Sequence, residues 1–331
     1  MESAVRLLAA CCGLALLGAA APASAGAVLV FADGFESPCV LGSAECPGFA
    51  VDTPELLAAP GELTSYCYYF HTPPGPGFAV QRFEAELGGA TAYMVLFATY
   101  DNAGTPAEQQ PSGTLTPNGC AFEANIGGVS SRRVWAAHKP QQSLQMPTDD
   151  GDGTPVAFEL LGDQPMFIEI VVANAGVDPQ PATVQLRAHA LPPGDAYTRT
   201  ETYMTYDGQF SLPPSSTGVT VSGSCAAPAG ALFWSFTTHT HGRAVEATLT
   251  DTGQLLVSTS DWEDPAITTF GVPFHGFGAG DTLDYECVYN NSSGASVFAG
   301  ADHQNEENCV GVGYFFPAEG PLLCVDGFGP F

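Results

Sequence analysis

The chain has 331 residues, of which 35 are Asp or Glu and only 8 are Lys or Arg, giving a formal net charge of −27. So acidic a chain repels nucleic-acid phosphates and anionic lipid surfaces, so we expect no nucleic acid among its partners. Its 21 Phe and 11 Tyr supply apolar area for a core, which argues against intrinsic disorder. Its 38 Gly and 27 Pro would break helices throughout, which excludes a helical bundle.

The first 25 residues have the features of a secretory signal peptide. Arg6 supplies a charged start, an apolar run follows from Leu7 to Ala20, and Ala23-Ser24-Ala25 forms a small-residue cleavage site. A lipoprotein signal ending at Cys11 is the alternative, but the apolar stretch before Cys11 is too short to favour it. No later segment is apolar for 18 residues. We therefore predict a protein that is cleaved after Ala25, is secreted or periplasmic, and has no segment inserted in a membrane.

The cysteines indicate a chain stabilised by disulfide bonds. An even number remains after the cleavage site, as is typical of exported proteins with paired cysteines. These eight residues are Cys39, Cys46, Cys67, Cys120, Cys225, Cys287, Cys309 and Cys324. None of them forms a C-x-x-C motif, so neither a structural zinc site nor a thioredoxin-type redox site is predicted.

Strand signals dominate the rest of the chain. Runs of strand length that are rich in β-branched and aromatic residues lie at 78–87, 92–98, 167–173, 182–189, 231–240, 245–250 and 282–289. Several of these runs alternate apolar with polar residues, and clusters of Gly, Pro, Asn and Asp separate them. The pattern predicts an all-β fold of antiparallel β-sandwich or jelly-roll type. The length of the chain favours two such domains.

His239-Thr240-His241 is the feature that points most directly to chemistry. In a β-strand, residues i and i+2 face the same side, so His239 and His241 would present two imidazoles together. Neutral imidazole is a common ligand of copper and zinc. Two imidazoles leave a metal site incomplete, however. The competing interpretation is an ordinary surface or hydrogen-bonded histidine pair.

The residues that follow His239 resemble a known family. The matching segments, in chain order, are His239–His241, Asp261–Pro265, Gly280-Asp281, Leu283, Cys287, Glu306–Cys309, Gly313–Pro317 and Cys324. Their order and spacing resemble the catalytic second domain of the copper type II, ascorbate-dependent monooxygenases. These are the peptidylglycine α-hydroxylating and dopamine β-monooxygenases, with secreted bacterial relatives. A weaker similarity to the first domain of the family covers Thr64–Phe70, Trp135-Ala136, Pro140 and Pro147.

The resemblance implies a domain organisation for the chain. It extends over residues 51–331 and implies two tandem antiparallel β-sandwich domains of jelly-roll type, which the strand pattern favours independently. The signal peptide, 1–25, would be followed by a leader or tether, 26–50. The first domain would cover residues 51–206 and the second domain residues 207–331.

The resemblance also implies how the cysteines pair. Cys287–Cys309 and Cys225–Cys324 would follow the disulfides of the family's second domain. The usual partner of the position of Cys67 is missing, so Cys67 is assigned to Cys120 as the cysteine that remains. Cys39–Cys46 would close a small loop in the leader.

The copper ligands of the family are mostly absent from this chain. The family stores an electron at a three-histidine copper site in the first domain, and these positions fall on Ala92, Tyr93 and Val171. Ala and Val have no donor atom, and Tyr93 cannot bind as a histidine does. In the second domain the oxygen-binding copper takes two histidines and a methionine. His239 and His241 match the pair, but Asn308 stands at the methionine position and offers a hard oxygen in place of a soft thioether.

With four of six ligand positions changed, we expect an exported protein of this fold that cannot run two-copper hydroxylation. It would keep one copper site at His239 and His241, with Asn308 or a water as a weak third ligand, and no catalytic residue is assigned. Histidines that could replace the third ligand are His71, His138, His189, His275 and, best placed because it lies five residues before Asn308, His303.

Two other functions stay open at this point. One is an active copper- and ascorbate-dependent monooxygenase that takes both electrons from outside and hydroxylates a C–H bond of a small-molecule or peptide substrate. The other is a metal-free binding module at the cell surface. The monooxygenase would require copper and the binding module would not, so a test of copper binding distinguishes the two functions.

Overall fold

The structure is a computed structural model that describes residues 29–30, 39–99, 110–117, 119–120, 131–300 and 302–329. The described residues form strands and no helix, which confirms the predicted all-β fold. All seven predicted runs coincide with strands. No helix long and apolar enough to cross a membrane occurs in these ranges. The predicted signal peptide, 1–25, lies outside the described residues.

The strands divide into those before residue 191 and those after it. The first set is β1 (Leu29–Val30), β2 (Cys39–Val40), β3 (Gly48–Asp52), β4 (Leu56–Ala58), β5 (Leu63–His71), β6 (Phe78–Gly89), β7 (Thr91–Thr99), β8 (Leu115–Pro117), β9 (Ser131–Ala137), β10 (Gln141–Gln145), β11 (Val156–Leu160), β12 (Pro165–Ala173) and β13 (Gln180–Ala190). The second set is β14 (Thr198–Tyr206), β15 (Ser211–Leu212), β16 (Ser216–Ala226), β17 (Leu232–His239), β18 (Ala244–Asp251), β19 (Gln254–Thr259), β20 (Ile267–Thr269), β21 (His275–Gly276), β22 (Thr282–Asn291), β23 (Val297–Phe298), β24 (Val310–Phe316) and β25 (Leu322–Val325).

Two sheets pack face to face in the first part of the chain. One has the strand order β8-β5-β12-β7-β9. The other is built on β11, β6 and β13, with β10 attached to β6 and with β3 and β4 attached to β13. Leu96 and Ile168 from the first sheet share one hydrophobic core with Phe83 and Leu186 from the second. Burying these apolar side chains between two sheets is what stabilises a β-sandwich.

The second part of the chain repeats this arrangement. A four-stranded sheet in the order β16-β22-β18-β19 packs against β20-β17-β24-β14, with β21 beside β17 and β25 beside β14. Phe233 and Phe236 of β17 meet Leu249 of β18 and Tyr285 of β22 in a second core. β22 alternates buried with less buried residues, whereas β24 is buried along its whole length. β24 is therefore a central strand, and it carries the loop that holds Asn308.

β14 connects the two parts of the chain. Its residues 198–200 pair in parallel with residues 156–158 of β11, and its residues 201–206 pair with residues 310–315 of β24. One twelve-stranded sheet therefore runs through both parts. The predicted boundary after residue 206 directly follows this shared strand. The division into two tandem domains stays a prediction.

A buried ion network lies at this junction. Glu201 of β14 is fully buried, and its Oε1 accepts hydrogen bonds from Arg132 of β9 and from Arg199, whose Nη2 lies 2.7 Å away. Arg199 also reaches Glu159 at the surface, with 3.3 Å between Nη1 and Oε2. A buried charge is tolerated only when it is paired and hydrogen-bonded. The shared carboxylate therefore holds β9 and β14 together.

Three of the four predicted disulfides are present. They are Cys67–Cys120, Cys225–Cys324 and Cys287–Cys309. Cys46 is disulfide-bonded as well, but the side chain of Cys39 lies outside the described residues, so the pair Cys39–Cys46 stays a prediction. The three disulfides are consistent with an extracellular or periplasmic protein.

Candidate functional site

The H-x-H pair lies at the end of β17, where the two parts of the chain meet. His239 is the last residue of β17, His241 follows it, and both are buried. His138, directly after β9, and the buried His303, between β23 and β24, join them. Four of the seven histidines in the sequence thus come together, and we refer to His138, His239, His241 and His303 as the histidine cluster.

The rings of the histidine cluster are in contact or nearly so. The centroids of His239 and His241 are 5.6 Å apart, and those of His241 and His303 are 4.1 Å apart. His303 lies 6.5 Å from His239, and His138 lies 6.4 Å from His239. His138 and His303 come from segments far from the H-x-H motif in sequence. Only the packing of β9 and the 302–309 loop against β17 brings them together.

Tyr93 of β7 packs in the middle of the cluster. Its ring stacks on His138 with 4.7 Å between centroids and stands edge-on to His239 and His303 at 5.7 and 5.6 Å. Its hydroxyl lies 2.8 Å from Nδ1 of His303. The other ring nitrogen of His303, Nε2, lies 3.6 Å from Oε1 of Glu169. Both nitrogens of His303 thus face protein groups, and its role as a substitute third ligand stays a prediction.

The three first-domain positions of the resemblance lie close together but do not fit a three-histidine copper site. Tyr93 and Val171 are direct partners in the pairing of β7 with β12, and Ala92 is the neighbour of Tyr93. Ala92 and Val171 offer no donor atom. The hydroxyl of Tyr93 is hydrogen-bonded to His303.

Both ring nitrogens of His241 face polar groups. Its Nδ1 lies 3.0 Å from the carbonyl oxygen of Glu306, and the tautomer in which Nδ1–H donates there leaves the lone pair on Nε2. Its backbone N–H donates to Oε2 of Glu307 at 3.1 Å, which fixes the end of the strand. Burial, with a smaller contribution from His303, lowers the pKa of His241 to about 3. The ring is therefore neutral near pH 7, the form that binds metal ions.

His239 is neutral as well. Burial lowers its pKa well below 6.5, and the positive charge of Arg133 lowers it further. Its Nδ1 is buried and has no hydrogen-bond partner among the described residues. Buried polar atoms almost always have a partner, so this nitrogen is a candidate for a ligand that the protein chain does not itself supply.

Asn308 contacts His241 directly, with two possible amide orientations. In one, Nδ2 lies 3.0 Å from Nε2 of His241, and Oδ1 faces only acceptors. In the other, Nδ2 donates to the carbonyl oxygens of Gly300 and Glu307 at 3.0 and 3.2 Å, and Oδ1 lies 3.0 Å from Nε2 of His241. The second orientation gives both amide hydrogens an acceptor and is favoured. In this orientation the amide oxygen accepts a hydrogen bond from Nε2–H of His241.

Two features hold Asn308 in place. Cys309, the next residue, is bonded to Cys287 of β22, and the hydroxyl of Tyr289 donates to the carbonyl oxygen of Asn308 at 2.6 Å. Both contacts come from the central strand of the four-stranded sheet. The position of the amide is therefore determined by the core and not by the surface loop.

Replacing Cys287 and Cys309 together by Ala is expected to lower the free energy of unfolding by about 3 kcal/mol. The disulfide restricts the unfolded chain, which gains conformational entropy when the bond is removed. Urea denaturation measures the loss. The comparison is the Cys67/Cys120 double Ala variant, whose disulfide closes a longer loop, with a sequence separation of 53 against 22, and should therefore lose somewhat more. An unchanged urea midpoint in the Cys287/Cys309 variant would contradict the expectation.

Two charged groups flank the histidine cluster. Burial raises the pKa of Glu307 to about 7, although the backbone N–H and the guanidinium of Arg243 oppose the rise. Arg133 is almost fully buried, and its charge lowers the pKa of both His138 and His239. The charge of Arg133 therefore favours the neutral form of both imidazoles.

Within the described ranges, no group of three or more His, Cys, Asp or Glu side chains is placed to hold a metal ion. His239, His241 and Asn308 form a set of a different kind, because the third donor is an amide. Sequence reasoning singled out these three residues. It missed Tyr93 as a contact of the cluster, and it named His138 only as one of several spare histidines.

The sequence matches no protein-family model and no curated protein. The structure is similar to solved structures at low sequence identity. PNGase F, a glycosylasparaginase from Flavobacterium meningosepticum, matches with a TM-score of 0.37 and 9% identity, over 83% of this chain and 97% of that chain. The major capsid protein P2 of bacteriophage PM2 matches with a TM-score of 0.29 and 11% identity, over 81% and 97%. At these TM-scores the matches carry no argument about function.

Proposed function

We propose that this chain is an exported protein that binds one copper ion through His239, His241 and the amide oxygen of Asn308, and that it does not run two-copper hydroxylation. The resemblance to the copper type II, ascorbate-dependent monooxygenases and the sequence features of a signal peptide support the proposal. One observation carries it. Oδ1 of Asn308 and Nε2 of His241 lie 3.0 Å apart, and the buried Nδ1 of His239 has no hydrogen-bond partner among the described residues.

In the favoured amide orientation, Nε2–H of His241 donates to Oδ1 of Asn308. Its Nδ1 then faces the carbonyl oxygen of Glu306 at 3.0 Å without a hydrogen to donate. If Nδ1 carries the hydrogen instead, Nε2 offers its lone pair beside Oδ1, and both atoms can bind one metal ion, since two ligands each about 2 Å from one ion lie about 3 Å apart when roughly at right angles.

His239 supports the same interpretation. Its Nδ1 is buried with no partner among the described residues, and its ring lies 5.6 Å from that of His241. A metal ion bound by both rings would satisfy a nitrogen that otherwise costs free energy to bury. The carbonyl of Glu306, which accepts from Nδ1 of His241, would then orient one ligand, as outer partners of metal-bound histidines commonly do.

The charges of the site favour the lower oxidation state of copper. All three donors are neutral, and the guanidinium of Arg133 acts on His239. A nearby positive charge destabilises Cu²⁺ or Zn²⁺ more than it destabilises Cu⁺. The resulting preference is for Cu⁺, although the hard amide oxygen suits Cu⁺ less well than a thioether would.

Two-copper chemistry has no support from the first part of the chain. Electron storage in the family needs three histidines, and this chain has Ala92, Tyr93 and Val171 at the corresponding positions. We therefore propose copper binding as the function. Ascorbate would matter only to an active monooxygenase.

The test is an anaerobic titration of the purified protein with Cu⁺ against a competing chelator. We expect one copper per chain in the wild type, and loss of tight binding in His239→Ala and in His241→Ala. The matched control is His71→Ala, because His71 lies at the end of β5 and contacts Ser112. No copper uptake at micromolar metal would overturn the proposal and favour the metal-free binding module.

Variants of Asn308 test the third ligand in the same titration. Asn308→Met should tighten Cu⁺ binding about tenfold, equivalent to about 1.4 kcal/mol, because a thioether is a softer ligand. Asn308→Ala should weaken it. Equal affinity in all three proteins would remove Asn308 from the site. Ascorbate-driven hydroxylation of a peptide or phenethylamine substrate by the copper-loaded protein would establish the rival monooxygenase.

A further inference from the structure

A small cavity lies beside the histidine cluster, between β9, β17 and β24. Its volume is about 20 Å³, and its lining includes Arg133, Trp135, His138, Thr238 and Tyr314. A cavity needs roughly 10–15 Å³ to hold one water-sized particle. The cavity therefore accommodates a single small occupant.

Two of the polar atoms around this cavity lack partners. Nε of Arg133 and Nε1 of Trp135 are buried without a hydrogen-bond partner in the part of the chain that the structure describes. Both can only donate. His138 also lines the cavity, and its ring is neutral, because burial and the charge of Arg133 lower its pKa to about 3, although a backbone hydrogen bond with Glu263 opposes the fall. The excess is of donors, so the missing partner is an acceptor.

The guanidinium of Arg133 is also without a counter-charge. The side chain is 5% exposed, and among the described residues no Asp or Glu carboxylate lies within 4.0 Å of its nitrogens. Burial lowers its pKa, and Tyr314, Tyr93 and Glu169 oppose that effect from a distance. An arginine nevertheless stays charged in a protein, so the buried positive charge remains to be balanced.

The preceding residue shows how this chain balances a buried guanidinium elsewhere. Arg132 is as buried as Arg133, and it is paired with the fully buried carboxylate of Glu201. Arg133 has no such partner. Within the described ranges, the protein chain therefore provides a carboxylate partner for Arg132 but none within 4.0 Å of Arg133.

We propose that the cavity binds a single-atom anion of halide size, with Arg133 as its cationic anchor and the N–H group of Trp135 as a further donor. Water would fill the same space and accept hydrogen bonds, but it would leave the charge of Arg133 unbalanced. Larger anions such as sulfate exceed the volume. This site uses none of the proposed copper ligands, and its tests use the metal-free protein, so their outcomes are distinguishable from those of the copper titration.

Crystals of the metal-free protein grown in sodium bromide provide the direct test. An anomalous difference peak for bromine in the cavity beside Arg133 is expected. A site occupied by water, with no anomalous signal at high bromide concentration, would overturn the proposal. The wild-type protein suffices for this experiment, so it remains decisive even where a variant fails to fold.

Melting temperatures test the same site in solution. In the metal-free wild type, replacing gluconate with chloride at constant ionic strength should raise the melting temperature by about 2–4 °C, because an anion that binds only the folded state stabilises it. Arg133→Gln should abolish the shift. Arg132→Gln is the matched control, since it should lower the melting temperature in both salts and keep the shift. Equal melting temperatures of the wild type in both salts would contradict the proposal.

Discussion

Replacing Glu201 by Gln is expected to lower the free energy of unfolding by about 3–5 kcal/mol. Gln keeps the shape of the side chain but removes the charge that Arg132 and Arg199 share. Arg132 would then be a buried guanidinium without a counter-charge, and breaking one side of a buried ion pair is among the costliest single changes. Urea denaturation of the wild type and the variant measures the difference.

Glu159→Gln is the control for this prediction. Glu159 pairs with Arg199 at 3.3 Å, but its side chain is 39% exposed. Solvent screens such a pair, so its removal should cost less than about 1 kcal/mol. Similar losses of unfolding free energy in the two variants would contradict the expectation that a buried ion pair stabilises the protein more than an exposed one.

Acidification from pH 6.5 to pH 5 is expected to destabilise the metal-free protein by about 3 kcal/mol. In the folded state the pKa values of His138 and His241 are about 3, against an ordinary value of 6.5, and that of His239 is lowered in the same direction. The stability from these neutral rings is present above pH 6.5 and is lost as the pH falls, because only the unfolded chain then takes up protons. Three such histidines account for a loss of about 5 kcal/mol over this interval.

Glu307 acts in the opposite direction. Burial raises its pKa from 4.5 to about 7, so its contribution to stability is present below pH 4.5 and is lost as the pH rises through 7. Acidification from pH 6.5 to 5 therefore recovers about 2 kcal/mol at this residue. The three histidines outweigh the single carboxyl, and the net effect is destabilising.

Urea denaturation at several pH values, with a metal chelator present, checks this prediction. His138→Gln should reduce the dependence on pH, because it removes one of the three groups without touching a proposed copper ligand. His71→Gln, at the surface end of β5, should leave the dependence unchanged. If the unfolding free energy of the wild type is constant between pH 6.5 and 5, the prediction that buried neutral histidines set its pH dependence is wrong.

Much of the fold follows from local patterns in the sequence. The alternation of apolar and polar residues in runs such as 182–189 depends only on neighbouring residues, so the strands could be predicted from it. The pairing of Cys225 with Cys324 was implied by a resemblance and is present in the structure. The proximity of His239 and His241 followed from their separation of two residues at the end of β17 and needed no tertiary information.

The rest of the site depends on contacts that periodicity does not encode. His138 and Arg133 lie about 100 residues before the H-x-H motif, and they join it only because β9 packs beside β17. A strand pattern tells which face of a strand is buried, but not which sheet covers that face. The contact of Tyr93 with His303 likewise arises from the meeting of the two parts.

The sharing of β14 explains why the first part of the chain is retained. β14 bonds to β11 on one side of the junction and to β24 and β25 on the other, so neither part has a complete sheet of its own. A C-terminal fragment starting at residue 207 would lack the neighbour of its central strand β24, and the N-terminal fragment would carry an unpaired edge open to other molecules. Neither part can be discarded alone. The part that holds Ala92, Tyr93 and Val171 therefore contributes to the folding of its neighbour through β14.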